Sequence, residues 1–133
     1  MATYLLDTGL LLRHLRGQQR TVQFLRGLGR LGRLSIATVT RLEVHAGMKH
    51  DERYETQKLL SRLVNYNLDR EIADRAGDLI ANGQRVGKPI TVPDAIIAAT
   101  AVQHGLTLVT MNPDDFVAIP GLSVLAFPDA PGA

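Results

Sequence analysis

Four acids occupy equivalent places along the chain of 133 residues. Asp7 ends the run YLLD, Glu43 ends LSIATVTRLE, Asp94 ends ITVPD and Asp115 ends LVTMNPDD. Each stands where an apolar, strand-like run gives way to a helix or a turn. In a parallel α/β sheet such junctions share the carboxyl edge, where ligand crevices form. Carboxylates gathered at one edge repel one another and stay ionised together only with a cation among them. The chain has no cysteine, and His14, His45, His50 and His104 show no paired ligand spacing. Oxygen-only ligands point to a hard ion, Mg²⁺ or Mn²⁺, rather than zinc. Mg²⁺ retains waters and binds substrate phosphates, so few carboxylates are enough. The chemistry of such a centre is metal-assisted phosphodiester hydrolysis.

Each acid also has a structural reading. Asp7 is placed to cap a helix over Thr8–Leu15. Thr40-Arg-Leu-Glu43 matches a capping box. Asp94 lies in the first turn of its helix, where negative charge complements the dipole. Asn112-Pro113-Asp114-Asp115 is a turn sequence. Taken together the four favour a site. Helix N-termini that come directly after parallel strands lie on one edge, so capping geometry itself gathers them. No Lys or Arg sits within a few residues of Asp94 or Asp115, and Ala98, one turn beyond Asp94, leaves space beside its carboxylate.

The elements that must position these acids are set by periodicity. Strands are predicted at Thr3–Leu6, Leu34–Ala37, Leu106–Val109 and Leu122–Ala126, with a short further one at Asn65–Leu68. Helices are predicted at Thr8–Leu15, Arg20–Leu31, Thr40–Met48, Asp51–Val64, Asp69–Gln84 and Pro93–His104, the last closed by Gly105. Strands separated by helices imply βαβ units and a parallel sheet of about four to five strands, covered on both faces. The length fits one domain over 1–133, with 128–133 as a flexible tail.

Composition narrows the function classes. Hydrophobic residues make up 45% and charged residues 21%, ordinary for a soluble globular chain. No apolar run approaches the ~20 residues of a membrane span, and the N-terminus lacks signal-peptide features, so the expected location is cytoplasmic. The net charge is +2, yet every Lys and Arg lies between Arg13 and Lys88, and the stretch after Lys88 carries acids only. A nucleic-acid backbone lying on arginine, with a metal among the acids, fits this polarity. Arg13, Arg16 and Arg41 are the RNA contacts expected nearest the acidic edge. Aromatic residues are too few for stacking platforms.

The pieces YLLDTGLLLRHL, LSIATVTRLEVHAGM and ITVPDAIIAATAVQHGLTLVTMNPDDFVAIPGLSVL carry a resemblance to PIN-domain ribonucleases, specifically the VapC toxins of bacterial toxin–antitoxin pairs. They span nearly the whole chain in the family's order and spacing, and the final element with Thr110, Asn112, Asp115 and Phe116 is specific. The resemblance implies a three-layer α/β/α PIN-like domain and a Mg²⁺- or Mn²⁺-dependent endoribonuclease. Asp7, Glu43 and Asp94 would be the core catalytic and metal-holding acids, with Asp115 the fourth. Thr8 and Thr110 would orient carboxylates or waters, and Asn112 would serve as a polar ligand or support. Cleavage would leave 5′-phosphate and 3′-hydroxyl ends. The resemblance also implies a cognate antitoxin, whose C-terminal segment pushes a basic side chain toward the acids, and a homodimer. One departure stands out: the family usually has a small polar residue after Asp-Thr, and here it is Gly9. Asp114 is expected to face solvent.

Two other classes compete. An inactive PIN-like module would use the same edge only to bind RNA or protein. A receiver-like phosphoacceptor needs a paired acid cluster after the first strand and a lysine near the C-terminal end, and neither is present.

Overall fold

Strands buried on both faces read as near-continuous apolar runs, and TYLL, RLSIA and TLVT supply the middle of the sheet. The computed structural model describes residues 3–128. Its strands are β1 (Thr3–Leu6), β2 (Arg33–Ala37), β3 (Val64–Tyr66), β4 (Thr107–Thr110) and β5 (Ser123–Ala126). They form one sheet of order β3-β2-β1-β4-β5, and every pairing is parallel. The helices are α1 (Thr8–Leu15), α2 (Gln19–Leu31), α3 (Thr38–Gly47), α4 (Arg53–Leu60), α5 (Arg70–Arg85) and α6 (Val92–His104). Short 3₁₀ turns occupy His50–Glu52 and Pro113–Phe116.

Successive strand side chains point to opposite faces, and the core divides accordingly. Leu6 and Val109 join Leu10, Leu11, Leu25 and Leu28 of α1 and α2. Leu5 and Leu108 join Ile97 and Ala98 of α6 on the other face. An outer layer packs Ile72 and Ala76 of α5 against Ala95 and Ala99 of α6. The small residues of α6 let its backbone lie close to both neighbours. Gly105 ends it in the left-handed region, at φ +64°, where a Cβ is disfavoured. The result is the expected three-layer α/β/α architecture with five strands.

Two expectations need correction. The capping box at Thr40 is absent: α3 begins at Thr38 directly after β2, Ala37 is its N-cap, and no side chain caps it. Thr40 therefore lies inside the helix, buried, and the Glu43 carboxylate goes elsewhere. The long helix over 51–64 is a 3₁₀ turn and then the two-turn α4, and Val64 opens β3. Leu59-Leu60 and Leu63-Val64 satisfy a helical stripe and a strand start equally, and Ser61-Arg62 is a turn without Gly or Pro to announce it. The short strand expected at Asn65–Leu68 is Val64–Tyr66. Beyond Pro128, the tail expected at 128–133 lies outside the described residues. Among those described, no helix is long and apolar enough to cross a membrane.

Candidate active site

β1 is the middle strand, with β2 and β4 on either side. The carboxyl ends of all three are therefore adjacent, and the segments leaving those ends are brought together. Asp7 comes straight after β1 without a loop. Its side chain caps α1, with Oδ1 accepting from the Thr8 amide at 2.8 Å. Thr110, the last residue of β4, donates its hydroxyl to Asp7 Oδ2 at 2.7 Å. That hydroxyl in turn accepts from the Asn112 amide at 3.0 Å. Both oxygens of Asp7 are thus held, although the residue is only 9% exposed.

Glu43 arrives through α3. Thr40, Glu43 and Val44 share one helix face at the i, i+3 and i+4 spacing, and that face packs on α1. The Thr8 hydroxyl donates to Glu43 Oε1 at 2.6 Å and shares a hydrogen bond of 3.1 Å with the Thr40 hydroxyl. Thr8 therefore serves both acids, with its amide on Asp7 and its hydroxyl on Glu43. Thr40 belongs to this cluster, a role the capping-box reading concealed. The T-x-T spacing directly after β2 is the signal that marks it.

Asp94 is the third residue of α6. The Thr91 hydroxyl caps the helix by accepting from the Asp94 amide at 3.2 Å. Ala98 is fully buried one turn on. The Asp94 carboxyl is pushed up to about 6, first by burial, then by the negative charge of Asp7, with smaller contributions from Asp115 and Glu43. Asp7 is also raised, chiefly by burial. The Thr110 and Thr8 hydrogen bonds oppose the shift, and Glu43 and Asp115 add to it. The charges acting on both groups are those of the other acids. Asp7 and Asp94 thus both sense Glu43 and Asp115, while among the described residues no three acids or histidines are clustered closely enough to form a ready-made ion cage.

The donor set fits a hard divalent ion. It consists of carboxylates alone, two of them raised by burial and by neighbouring negative charge, with positions left for waters and phosphate oxygens. Asp115 is exposed in the 3₁₀ turn, and so is Asp114. Phe116 is buried in the core as expected. Asn112 contributes its backbone amide to Thr110 and leaves its side chain exposed.

The three arginines are distributed differently. α1 starts at the acidic edge and runs away from it at 1.5 Å per residue. The backbone thus carries Arg13 and Arg16 from the acids, roughly 8 and 12 Å along the axis. Arg13 is half-buried, with Nη1 lacking a partner. Arg16 lines a small recess beside Met48 and Thr56. Arg41 stays near the edge, its Nε donating to Asn65 Oδ1 at 3.0 Å. Asn65 in turn donates to the Thr38 hydroxyl at 2.9 Å. At Gly9 a Cβ would stand 3.1 Å from the terminal methyl of Met111, so Met111 takes up the room that a side chain at position 9 would need.

Comparison with known proteins agrees with this architecture. The PIN domain family matches residues 4–122. Ribonuclease VapC10 of Mycobacterium tuberculosis is 35% identical over 108 residues, 81% of each chain. The tRNA(fMet)-specific endonuclease VapC of Shigella flexneri is 27% identical over 127 residues, 92% of this chain and 96% of its own. Among solved structures, a toxin–antitoxin complex from Klebsiella pneumoniae contains a chain with a TM-score of 0.76 and 32% identity, covering 92% of this chain and 96% of that one. VapBC2 from Rickettsia felis bound to promoter DNA shares the fold at a TM-score of 0.83 and 23% identity, covering 93% and 98%. With acids at the carboxyl ends of a β3-β2-β1-β4-β5 sheet and this match over nearly its whole length, the chain belongs to the PIN domain family, among the VapC proteins.

Proposed function

We propose that this protein is a divalent-metal-dependent endoribonuclease and the toxin of a toxin–antitoxin pair. One observation carries the reading: the Thr8 amide holds Asp7 and the Thr8 hydroxyl holds Glu43 at the carboxyl end of β1, where Thr110 of β4 also reaches Asp7, and the charge of Asp7 is felt at Asp94. A site that concentrates negative charge in this way supports binding of a cation. The names of its relatives, a ribonuclease and a tRNA-specific endonuclease, support RNA as the substrate class.

Asp7, Glu43, Asp94 and Asp115 would hold one or two Mg²⁺ or Mn²⁺ ions. Such an ion supplies Lewis acidity toward a phosphate oxygen and makes water a stronger acid. The chain's own residues do the positioning. Thr110 and the Thr8 amide fix the Asp7 carboxylate, and the Thr8 hydroxyl turns Glu43 toward it. Asp94 and Asp115 face the more open side, where a strand would enter. Hydrolysis by water in line with the leaving oxygen gives 5′-phosphate and 3′-hydroxyl ends. It needs no covalent intermediate on the protein.

The same reading supplies the partners. A cognate antitoxin delivers a basic group that competes with the cation for the acids. Exposed Leu42 on α3 and Tyr54 on α4, at 64% and 73%, offer apolar surface to an antitoxin or to a second copy in a homodimer. The site of action is the cytoplasm.

The test is end-mapping of cellular RNA after induction of the chain, beside Asp94→Asn. Cuts with 5′-phosphate ends in the wild type and none in the variant are expected. Calorimetric titration with Mn²⁺ separates the inactive-module alternative, which predicts no binding site that Asp94→Asn removes. Full cleavage by both Asp7→Asn and Asp94→Asn would refute the assignment.

A further inference from the structure

Asp94 and Asp115 also line a groove of about 340 Å³, toward the lower end of ligand-pocket volumes. One wall comes from α5 and the loop after it, through Leu79, Val86 and Ile90. The other comes from the segment after the second 3₁₀ turn, through Val117, Ile119 and Pro120. Val86 and Val117 are 56% and 71% exposed, a large apolar exposure beside a charged edge. The first wall is built rigidly. The Lys88 amide donates to the Gly83 carbonyl at 2.8 Å, and a Cβ at buried Gly83 would stand 2.5 Å from the Lys88 carbonyl oxygen. Only glycine permits the loop to lie so directly on α5.

The polar groups sit around this apolar slot. Asn82 accepts from Arg85 at 2.6 Å through Oδ1, which leaves its amide hydrogens as donors. Lys88 is the one cation among the lining residues, and Asp114 lines the groove with Asp94 and Asp115.

We propose that this groove is the subsite for an unstacked nucleobase adjoining the scissile phosphate, with Asp114 accepting from N–H donors on the base's pairing edge. The inference rests on the nuclease reading and names how its substrate is chosen. A base has flat apolar faces and a polar rim, which matches two aliphatic walls edged by Asp114 and Asn82. The groove is continuous with the acids, so a phosphate at Asp94 and Asp115 puts its neighbouring nucleotide at the slot. Lys88 then stands where the next phosphate of the strand passes, opposite in charge to it. Specific RNA readers work on unstacked bases of single-stranded segments.

Two measurements test this. Binding is read by methyl NMR of the full chain, metal-free, titrated with the four neutral nucleosides, which carry no phosphate for the acids to repel. Saturable shifts at Val86, Val117 and Ile119, ranked by base and with the ranking flattened in Asp114→Asn, are expected. Cleavage is read on random-sequence RNA with Mn²⁺. A base bias beside the cut is expected, relaxed in Asp114→Asn. Val117→Asp, at an exposed position that leaves the core alone, sets a charge against the base's apolar face and should lower kcat/KM by about tenfold. Methyls unmoved by nucleosides, together with unaltered rate and bias in both variants, overturn the subsite while leaving the nuclease reading standing. Methyl shifts that depend on protein concentration instead of nucleoside mark the groove as a protein-docking face and overturn it equally. No Mn²⁺-dependent cleavage by the wild type overturns the nuclease reading and the subsite with it.

Discussion

The two halves of the acidic edge are built differently. Around Asp7 each carboxylate oxygen accepts one hydrogen bond, from an amide or a hydroxyl, and keeps a lone pair for a cation, while Thr8 ties Glu43 to the same point. Around Asp94 a single residue serves: the Thr91 hydroxyl accepts from its backbone amide and also draws its carboxyl down, and Asp115 is exposed in the 3₁₀ turn that lines the same groove. The first half is preorganised by the protein. The second is, on the proposed function, left for an ion and a substrate to organise. Desolvation raises both Asp7 and Asp94; at Asp7 the Thr110 hydroxyl and the Thr8 amide oppose it, one at each oxygen, whereas at Asp94 Thr91 alone opposes it. A rigid half beside an adaptable one lets a single geometry be kept at the reacting centre while the approach to it remains open.

The contrast breaks most completely at Asp7. Asp7→Asn should lower RNA cleavage by more than about a hundredfold, beyond what loss of a supporting group costs. It should not lower the melting temperature, because a buried repulsive charge disappears. A large drop in melting temperature would mean that Asp7 is chiefly structural. Next in size is Thr110→Val, which keeps the shape and removes the donor to Asp7 Oδ2. An unpaired buried acceptor costs about 1–3 kcal/mol, and metal affinity should fall roughly 10- to 100-fold, read by calorimetry with Mn²⁺.

The open half is probed by pH. The Asp94 carboxyl is raised from 3.8 to about 6 in the folded protein. Between those values the folded state holds a proton that the unfolded chain has lost, so stability falls as pH rises through that window. In chelator the melting temperature should be lower at pH 7.5 than near pH 5. Mn²⁺ should recover it at pH 7.5 and change little at pH 5, and Asp94→Asn should shrink both differences. Identical melting in all conditions would remove the repulsion argument. The smallest effect is expected at Gly9→Ser. The only close neighbour of the new Cβ is the flexible end of Met111, so stability should change by less than about 1 kcal/mol and cleavage should hold, checked by thermal melts and initial rates.

The acids are readable from sequence because each stands at a change of period, from the alternation of a strand to the turn of a helix. Asp7 is readable twice, since the same position that caps α1 also faces the crevice. The start of α3 is not readable. Ala37 offers no capping signal, while Thr40 and Glu43 spell out one they do not use. The split of 51–64 is hidden because Leu59-Leu60 before Ser61-Arg62 and Leu63-Val64 after it suit either a longer helix or a new strand. The groove is hidden for another reason. Its walls come from residues 79–90 and 114–120, separate in sequence and ordinary in type, and only the folded chain brings them together. The distribution of arginine is legible as a charge count but not as a location, because α1 starts at the acids and leads away from them.

The hydrogen bond from Thr110 to Asp7 joins positions 103 residues apart. The strands that carry them to one another, β1 and β4, pair side by side although they stand near opposite ends of the chain. At synthesis rates of about 5–20 residues per second, a growing polypeptide spends several seconds on the ribosome with its first acid already made and its last still absent. The reactive centre therefore comes into being late and all at once, and a truncated translation product never acquires it.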